Sequence, residues 1–243
     1  PIQDHIEMGF SGSNGQPGIN VLLQKLQALP YYKELFAWTF DGDSTVTAGK
    51  IALALTDFVH SIESFDAKFD DGFTNLAALN QPFQNFTAQE NQGKALFLTP
   101  PSLNINGVRT GGGAGCAGCH QPPEFDIDPN SSNNGVDHEA GDPSSADFTN
   151  TRSPSLREVI GPNGDPNGPM MHTGDFIELT TVIEHYNEVI PDANNLNLDQ
   201  RLKRGPNMLK LELTTQEREA LEAFVKTLTG STVYTDQRWS SPF

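Results

Sequence analysis

Two cysteines separated by two residues, with a histidine directly after the second, occur at Cys116-Ala117-Gly118-Cys119-His120. These residue types at this spacing are the attachment signature of a c-type haem. Each thiol can add to a porphyrin vinyl group as a thioether, and the short turn holds the macrocycle edge-on to the backbone. The imidazole of His120 is thereby set under the iron as its proximal ligand. Competing readings are a zinc half-site, a thioredoxin-like redox pair and a chance match. A zinc site needs two further ligands, and these are the only cysteines in the chain. A redox pair would sit in a βαβ context, which the flanking sequence does not offer. Haem is the reading that uses every residue of the motif.

Helices must carry this turn and close over it. Val21, Leu22, Leu26 and Leu29 recur with helical spacing, and Pro30 begins a second helix through Tyr31, Leu35, Phe36 and Trp38. That helix stops near Asp41-Gly42-Asp43. A longer amphipathic helix starts around Thr45 with Ile51, Leu55, Phe58, Val59 and Ile62 on one face. Capping boxes at Thr87-Ala88-Gln89-Glu90 and Thr214-Thr215-Gln216-Glu217 open two more helices. Another is expected over about 179–189. Residues 99–115 form a Gly-rich approach to the motif, and 121–150 form a long polar loop. No alternating strand pattern of useful length appears. The expected fold is mainly α: a cytochrome c-like haem domain with long loops and helical extensions. An arm and helical segment over 1–86 would precede a c-type cytochrome domain over 87–243, the two continuous as one unit. His60 reads as a packed or surface histidine. The oxygen-rich stretch 126–137 lacks calcium-loop spacing and reads as solvated loop.

Composition bounds the rest. A chain of 243 residues can bury a real core in one large domain or two small ones. No apolar run approaches the eighteen or more residues of a membrane span. The opening Pro1-Ile2-Gln3 has neither a Met start nor a basic segment followed by an apolar one, so the chain reads as a processed or truncated product. Bacteria attach haem covalently outside the cytoplasmic membrane, which implies a periplasmic or otherwise exported protein. A formal net charge of −16 argues against nucleic acid and anionic membrane as partners. It suits an electron carrier docking on a positive partner face, and equally an exported protein kept soluble by its charge.

Several segments, in chain order, resemble the bacterial di-haem cytochrome c peroxidase and methylamine-utilisation (MauG-like) superfamily, over its linker and carboxy-terminal haem domain. Pro1-Ile2-Gln3-Asp4-His5-Ile6-Glu7-Met8 looks like the segment joining that family's two haem domains. A helix over Lys50–Asp70 with the turn that follows it, and then Thr87–Phe97, look like the start of its second domain. Arg152-Ser153-Pro154-Ser155-Leu156-Arg157-Glu158-Val159 resembles its T-P-x-L-R-N-V strip, and Pro169-Met170-Met171-His172-Thr173-Gly174 its P-Y-x-H-x-G motif. The chain's end, Arg238-Trp239-Ser240-Ser241-Pro242-Phe243, is also similar. The likeness covers nearly the whole chain, and the order of the motifs carries it. Family members hold two haems, the amino-terminal one reacting with peroxide, whereas one CxxCH is present here. The resemblance implies an upstream haem domain, removed or on a separate chain, or else a single-haem relative.

The same resemblance implies residue roles. In the peroxidases a Met lies fourteen residues after the histidine of P-Y-x-H-x-G, and counting from His172 that place holds Tyr186. The methylamine-utilisation branch has Tyr there as axial ligand, so Tyr186 is the first candidate for the sixth iron position. Met170, Met171 and Met208 are the alternatives, and an open position is another. Tyr186 can equally be a packed helix residue with a bonded hydroxyl. His172 matches a pocket histidine that would bond a propionate or order water, while His185 should point elsewhere. Glu7 matches the acid near the peroxide-binding haem, a general acid–base role that depends on the second haem. Asn167 and Pro169 fall where the family places inter-domain calcium contacts.

Three functions follow as expectations. The first is the electron-transfer part of a di-haem peroxidase-like enzyme. It would take electrons from a small donor protein (a cytochrome or cupredoxin) and pass them to a second haem that reduces hydrogen peroxide to water. The second is MauG-like oxidation through two coupled high-valent haems. The third is a stand-alone single-haem cytochrome that only carries electrons. The family resemblance adds a homodimer to the first.

Overall fold

In a computed structural model, which describes residues 2–4, 8–75, 78–127 and 130–240, helices begin where local chemistry sets their ends. Helix α1 (Ile19–Ala28) is followed at once by α2 (Pro30–Thr39), whose Pro30 occupies the first turn, where its missing N–H costs nothing. Thr47 accepts a bond from the Lys50 N–H and opens α3 (Ala48–Ser61). These helices belong to one compact unit, Pro1–Glu63, with a small core of Phe36, Val46 and Ile51. The apolar face expected on α3 is present, but Leu55, Phe58, Val59 and Ile62 are exposed and only Ile51 is buried.

The second compact unit is Ser64–Phe243. It begins with an extended stretch and the short α4 (Lys68–Gly72), so the helix expected to run to residue 70 breaks at Ser61 and restarts. The capping boxes open α5 (Ala88–Leu98) and α7 (Thr215–Lys226), and α6 (Leu179–Asn187) lies between them in sequence. A single turn, α8 (Thr232–Thr235), follows. Helices α5 and α7 pack with almost no gap at Gly93: a Cβ there would lie 1.8 Å from the Ala220 carbonyl oxygen. Around that contact Phe69, Phe97, Phe125 and Phe224 are fully buried. Phe69 meets Phe125 edge-on at 4.8 Å, and Phe97 meets Phe224 at 5.1 Å. Phe83 and Phe86 join the same core. The buried ammonium of Lys94 ties their segment down, donating to Leu79 O at 2.7 Å and Gln81 O at 2.5 Å above the Phe83 ring. The segment 64–86, which the sequence reading groups with the arm, thus contributes core aromatics to the haem-motif unit.

Among the described residues four antiparallel two-stranded ribbons complete the fold, and here "mainly α" holds only in part. Strand β1 (Pro101–Leu103) pairs with β2 (Arg109–Gly112), and β3 (His120–Gln121) with β4 (Asp126–Ile127). Strand β5 (His138–Glu139) pairs with β6 (Asp142–Ala146), and β7 (Lys203–Arg204) with β8 (Asn207–Met208). Strands of two to five residues are too short for a period-two pattern to register. Among the described residues no helix is long and apolar enough to cross a membrane.

Candidate functional site

The two thiols sit on a turn closed by backbone bonds. Gly115, in the left-handed region at φ +76°, leads into a 3-10 turn over Cys116–Gly118. The Gly118 N–H donates to Gly115 O at 2.9 Å and the Cys119 N–H to Cys116 O at 3.1 Å. The Ala114 N–H donates to Leu96 O at 2.7 Å, fixing the approach against the end of α5. Burial pushes the Cys116 thiol up to about 12.

His120 follows directly. Its Nδ1 bonds the Pro154 carbonyl at 2.9 Å, and because a carbonyl only accepts, Nδ1 carries the proton and Nε2 presents a lone pair. Burial draws the imidazole below its ordinary value against the bonds to Pro154 and Phe125, so the neutral, ligating form is favoured. A carbonyl holding the far nitrogen is the usual orienting device for a metal-binding histidine. The strip 152–159 is laced to the turn after the motif. Leu156 N–H donates to Phe125 O at 3.1 Å, and Ser155 Oγ to Glu124 O at 2.8 Å. Arg157 donates to Pro123 O at 2.8 Å and forms a bidentate pair with Asp70 at 2.7 and 2.9 Å.

Cys116, Cys119 and His120 line a cavity of about 550 Å³ together with Tyr186, a volume in the range of cofactor pockets. Helices α6 and α7 supply Ile183 and Leu221 to its walls, and Leu209, Leu211 and Leu213 come from the strand-like segment between them. Its polar residues besides His120 and Tyr186 are Ser131, Ser132, Asn134, Thr151, Ser153, Asp199 and Arg201. Arg201 donates through Nε to Asp199 at 2.8 Å and through Nη1 to Gly118 O at 2.6 Å, binding the 199–202 turn to the attachment turn. Asp199 also accepts from Ser132 N–H at 2.9 Å; these bonds outweigh its burial and hold its carboxyl down at about 2. An apolar box, two thiols and an imidazole oriented by Pro154 O fit a covalently attached haem.

The remaining expected residues are distributed unevenly. Tyr186 reaches the cavity from α6, and burial pushes its hydroxyl up to about 12, opposed by a bond from the Asn134 side chain. Neither Met170, Met171 nor Met208 is among the cavity residues. Met170 packs on the Ile160–Leu179–Val225 cluster, Met208 on the main core, and Met171 Sδ lies 3.5 Å from Asn134 Nδ2. His172 is 3.8 Å from Asp147 and also lies outside the lining. His185 turns from the cavity to bond Asn134 O at 3.0 Å. His60 is exposed on α3. Glu7 lies outside the described residues. Asn167 donates to Glu158 O at 2.6 Å and to the Tyr234 hydroxyl. Among the described residues no group of three or more His, Cys, Asp or Glu could hold a metal ion.

Within the stretch 126–137, residues 131–136 depart from the solvated loop expected of it. Asn133 is fully buried, donating to Asp147 O and Thr149 O and accepting from Gly135 N–H and Asn195 Nδ2. Its amide is satisfied on every side, so a polar composition has produced a buried hydrogen-bond hub. The run Ser131-Ser132-Asn133-Asn134 contained no periodic signal that could reveal this.

Residues 1–77 match the family described as di-haem cytochrome c peroxidase. The chain is 26% identical over 236 residues to methylamine utilization protein MauG of Methylorubrum extorquens, covering 94% of the chain and 56% of that protein. It is 26% identical over 243 residues to MauG of Methylophilus methylotrophus, covering 95% and 59%. It thus spans little more than half the length of either relative. A solved MauG-like protein associated with microbial copper homeostasis shares the fold at a TM-score of 0.60 and 24% identity, over 92% of this chain and 65% of that one.

Proposed function

On the premise that the chain belongs to the superfamily of di-haem cytochrome c peroxidases and MauG proteins, we propose that it is the electron-transfer part of such a redox enzyme, serving hydrogen peroxide reduction. One observation carries this: Cys116, Cys119, His120 and Tyr186 line a single apolar cavity. A haem bound there supplies a reversible one-electron couple. The chain's residues do the rest. The two thiols anchor the porphyrin edge as thioethers. His120 is oriented by Pro154 O before any ligand arrives, which removes reorganisation from the binding step. The leucine-rich walls exclude water and raise the cost of charge inside. Arg201, held by Asp199 and Gly118, offers positive charge to propionates.

Electrons would come from a small cytochrome or cupredoxin docking on the acidic surface and leave to a second haem domain. A periplasmic or exported location follows from covalent haem attachment, and a homodimer from the family resemblance. A second reading, MauG-like oxidation through coupled haems, is favoured by Tyr186 facing the cavity where the three candidate methionines do not.

Intact-mass measurement of the native protein tests the proposal. This chain should carry one haem, lost when Cys116 and Cys119 are both changed to Ser. Two haems on the intact polypeptide with peroxide turnover support the enzyme. One haem with no turnover in the presence of donor leaves a plain electron carrier. Tyr186→Phe should shift the low-spin absorption spectrum, and an unchanged spectrum removes Tyr186 from coordination.

A further inference from the structure

Asn134 sits where three constraints meet. Its Oδ1 accepts the Val136 N–H at 3.1 Å, an Asx turn that settles which side of the amide faces which way. Its carbonyl oxygen accepts from His185 Nε2 at 3.0 Å, so α6 grips its backbone one residue before Tyr186. Its Nδ2 points away from the turn, toward Met171 Sδ at 3.5 Å, and Nδ2 has a second hydrogen to give. Asn134 and Tyr186 line the same cavity and are bonded through the Asn134 side chain.

The adjacent Gly135 makes this approach feasible. It lies at φ +85°, and a Cβ on it would fall 2.7 Å from Val189 Cγ1 and 3.7 Å from the His185 ring. The loop can therefore press against α6 closely enough for Asn134 to reach the phenol.

We propose that Asn134 is a positioning residue: its amide N–H, aimed by the turn on Val136 and the grip of His185, donates to the Tyr186 oxygen and sets that oxygen's place and donor strength toward the iron. The inference rests on the haem reading with Tyr186 as a ligand, and it goes beyond that reading in naming what tunes the ligand. A donor on a phenolate draws electron density from it, weakening its donation to ferric iron and raising the reduction potential.

The test uses the haem-loaded full chain, with absorption and resonance Raman spectra and a potentiometric titration. Asn134→Asp keeps the oxygen that accepts from Val136 N–H but has no amide donor. Asn134→Leu removes the donor without adding charge. The wild type should show a phenolate-to-iron band that Tyr186→Phe lacks. In both Asn134 variants that band should move and the potential should fall, more for Asp than for Leu, with haem content unchanged. Should one variant fail to fold, the other is read alone. If the band is present but neither the band nor the potential moves in a folded variant, the role of Asn134 is overturned while the coordination reading stands. If the wild type has no such band and matches Tyr186→Phe, coordination by Tyr186 falls, and this inference falls with it.

Discussion

Helices α3 and α7 carry similar apolar stripes and meet different fates. In α7, Ala220, Leu221, Phe224 and Val225 are buried, Phe224 completely. In α3 only Ile51 is buried, while Val59 on the same helix is 61% exposed. Both stripes have helical periodicity, so periodicity alone does not separate them. What differs is the neighbour. Helix α7 meets α5 at Gly93 with no room for a methyl group, whereas among the described residues Leu55, Phe58 and Val59 of α3 stay exposed. An amphipathic stripe marks a face suited to burial, and the surrounding chain decides whether burial happens.

The contrast can be broken at four places. Gly93→Ala and Phe224→Ala should have the two largest effects. In place of Gly93, Ala gains up to about 1 kcal/mol in helix propensity, but its methyl would overlap a backbone carbonyl that cannot swing aside. Chemical denaturation should show a net loss of about 3 kcal/mol or more, and a gain would mean that α5 and α7 slide apart freely. Phe224→Ala is expected to cost about 3–5 kcal/mol by the same measurement.

A smaller effect is expected at the start of α7. Glu217 is bound by Arg109, and that bond, with help from the Thr214 cap, holds its carboxyl down at about 2. A depressed carboxyl stabilises the fold above its ordinary value and loses that contribution as pH falls toward about 2. Wild-type stability should therefore decline through this acid window. Glu217→Gln should be less stable at neutral pH and flatter across the window; equal slopes would mean the pair contributes nothing. Smallest of all, Val59→Ser on α3 should change stability by no more than about 0.5 kcal/mol. A loss several times larger would show that the face is covered after all.

Much of the helical framework was legible because its signals are local. Thr87 with Glu90, and Thr214 with Glu217, mark helix starts through reciprocal bonds that span three residues. Pro30 marks another through its ring. The grouping of Cys116, Cys119 and His120 on one cavity was legible for a similar reason, since they carry their spacing in five consecutive positions. The ribbons were not, since strands such as His120–Gln121 are set by distant partners rather than by their own pattern. Asn133 resembles loop residues in type, and its burial depends on Asp147, Thr149 and Asn195 arriving from elsewhere. Tyr186 was reached through family resemblance, because a lone tyrosine on an amphipathic helix carries no mark of what it faces. Pro154 matters for its carbonyl, a group every residue possesses, so residue type could not single it out.

That carbonyl connects two stretches of chain thirty-four positions apart. A small displacement of the Arg157-bearing strip would lengthen or bend its link to the imidazole and alter how generously the ring shares its electrons. Were a metal to bind at His120, its hold on the ring would therefore depend on residues far along the chain, with Asp70 and Arg157 as the anchor of that strip.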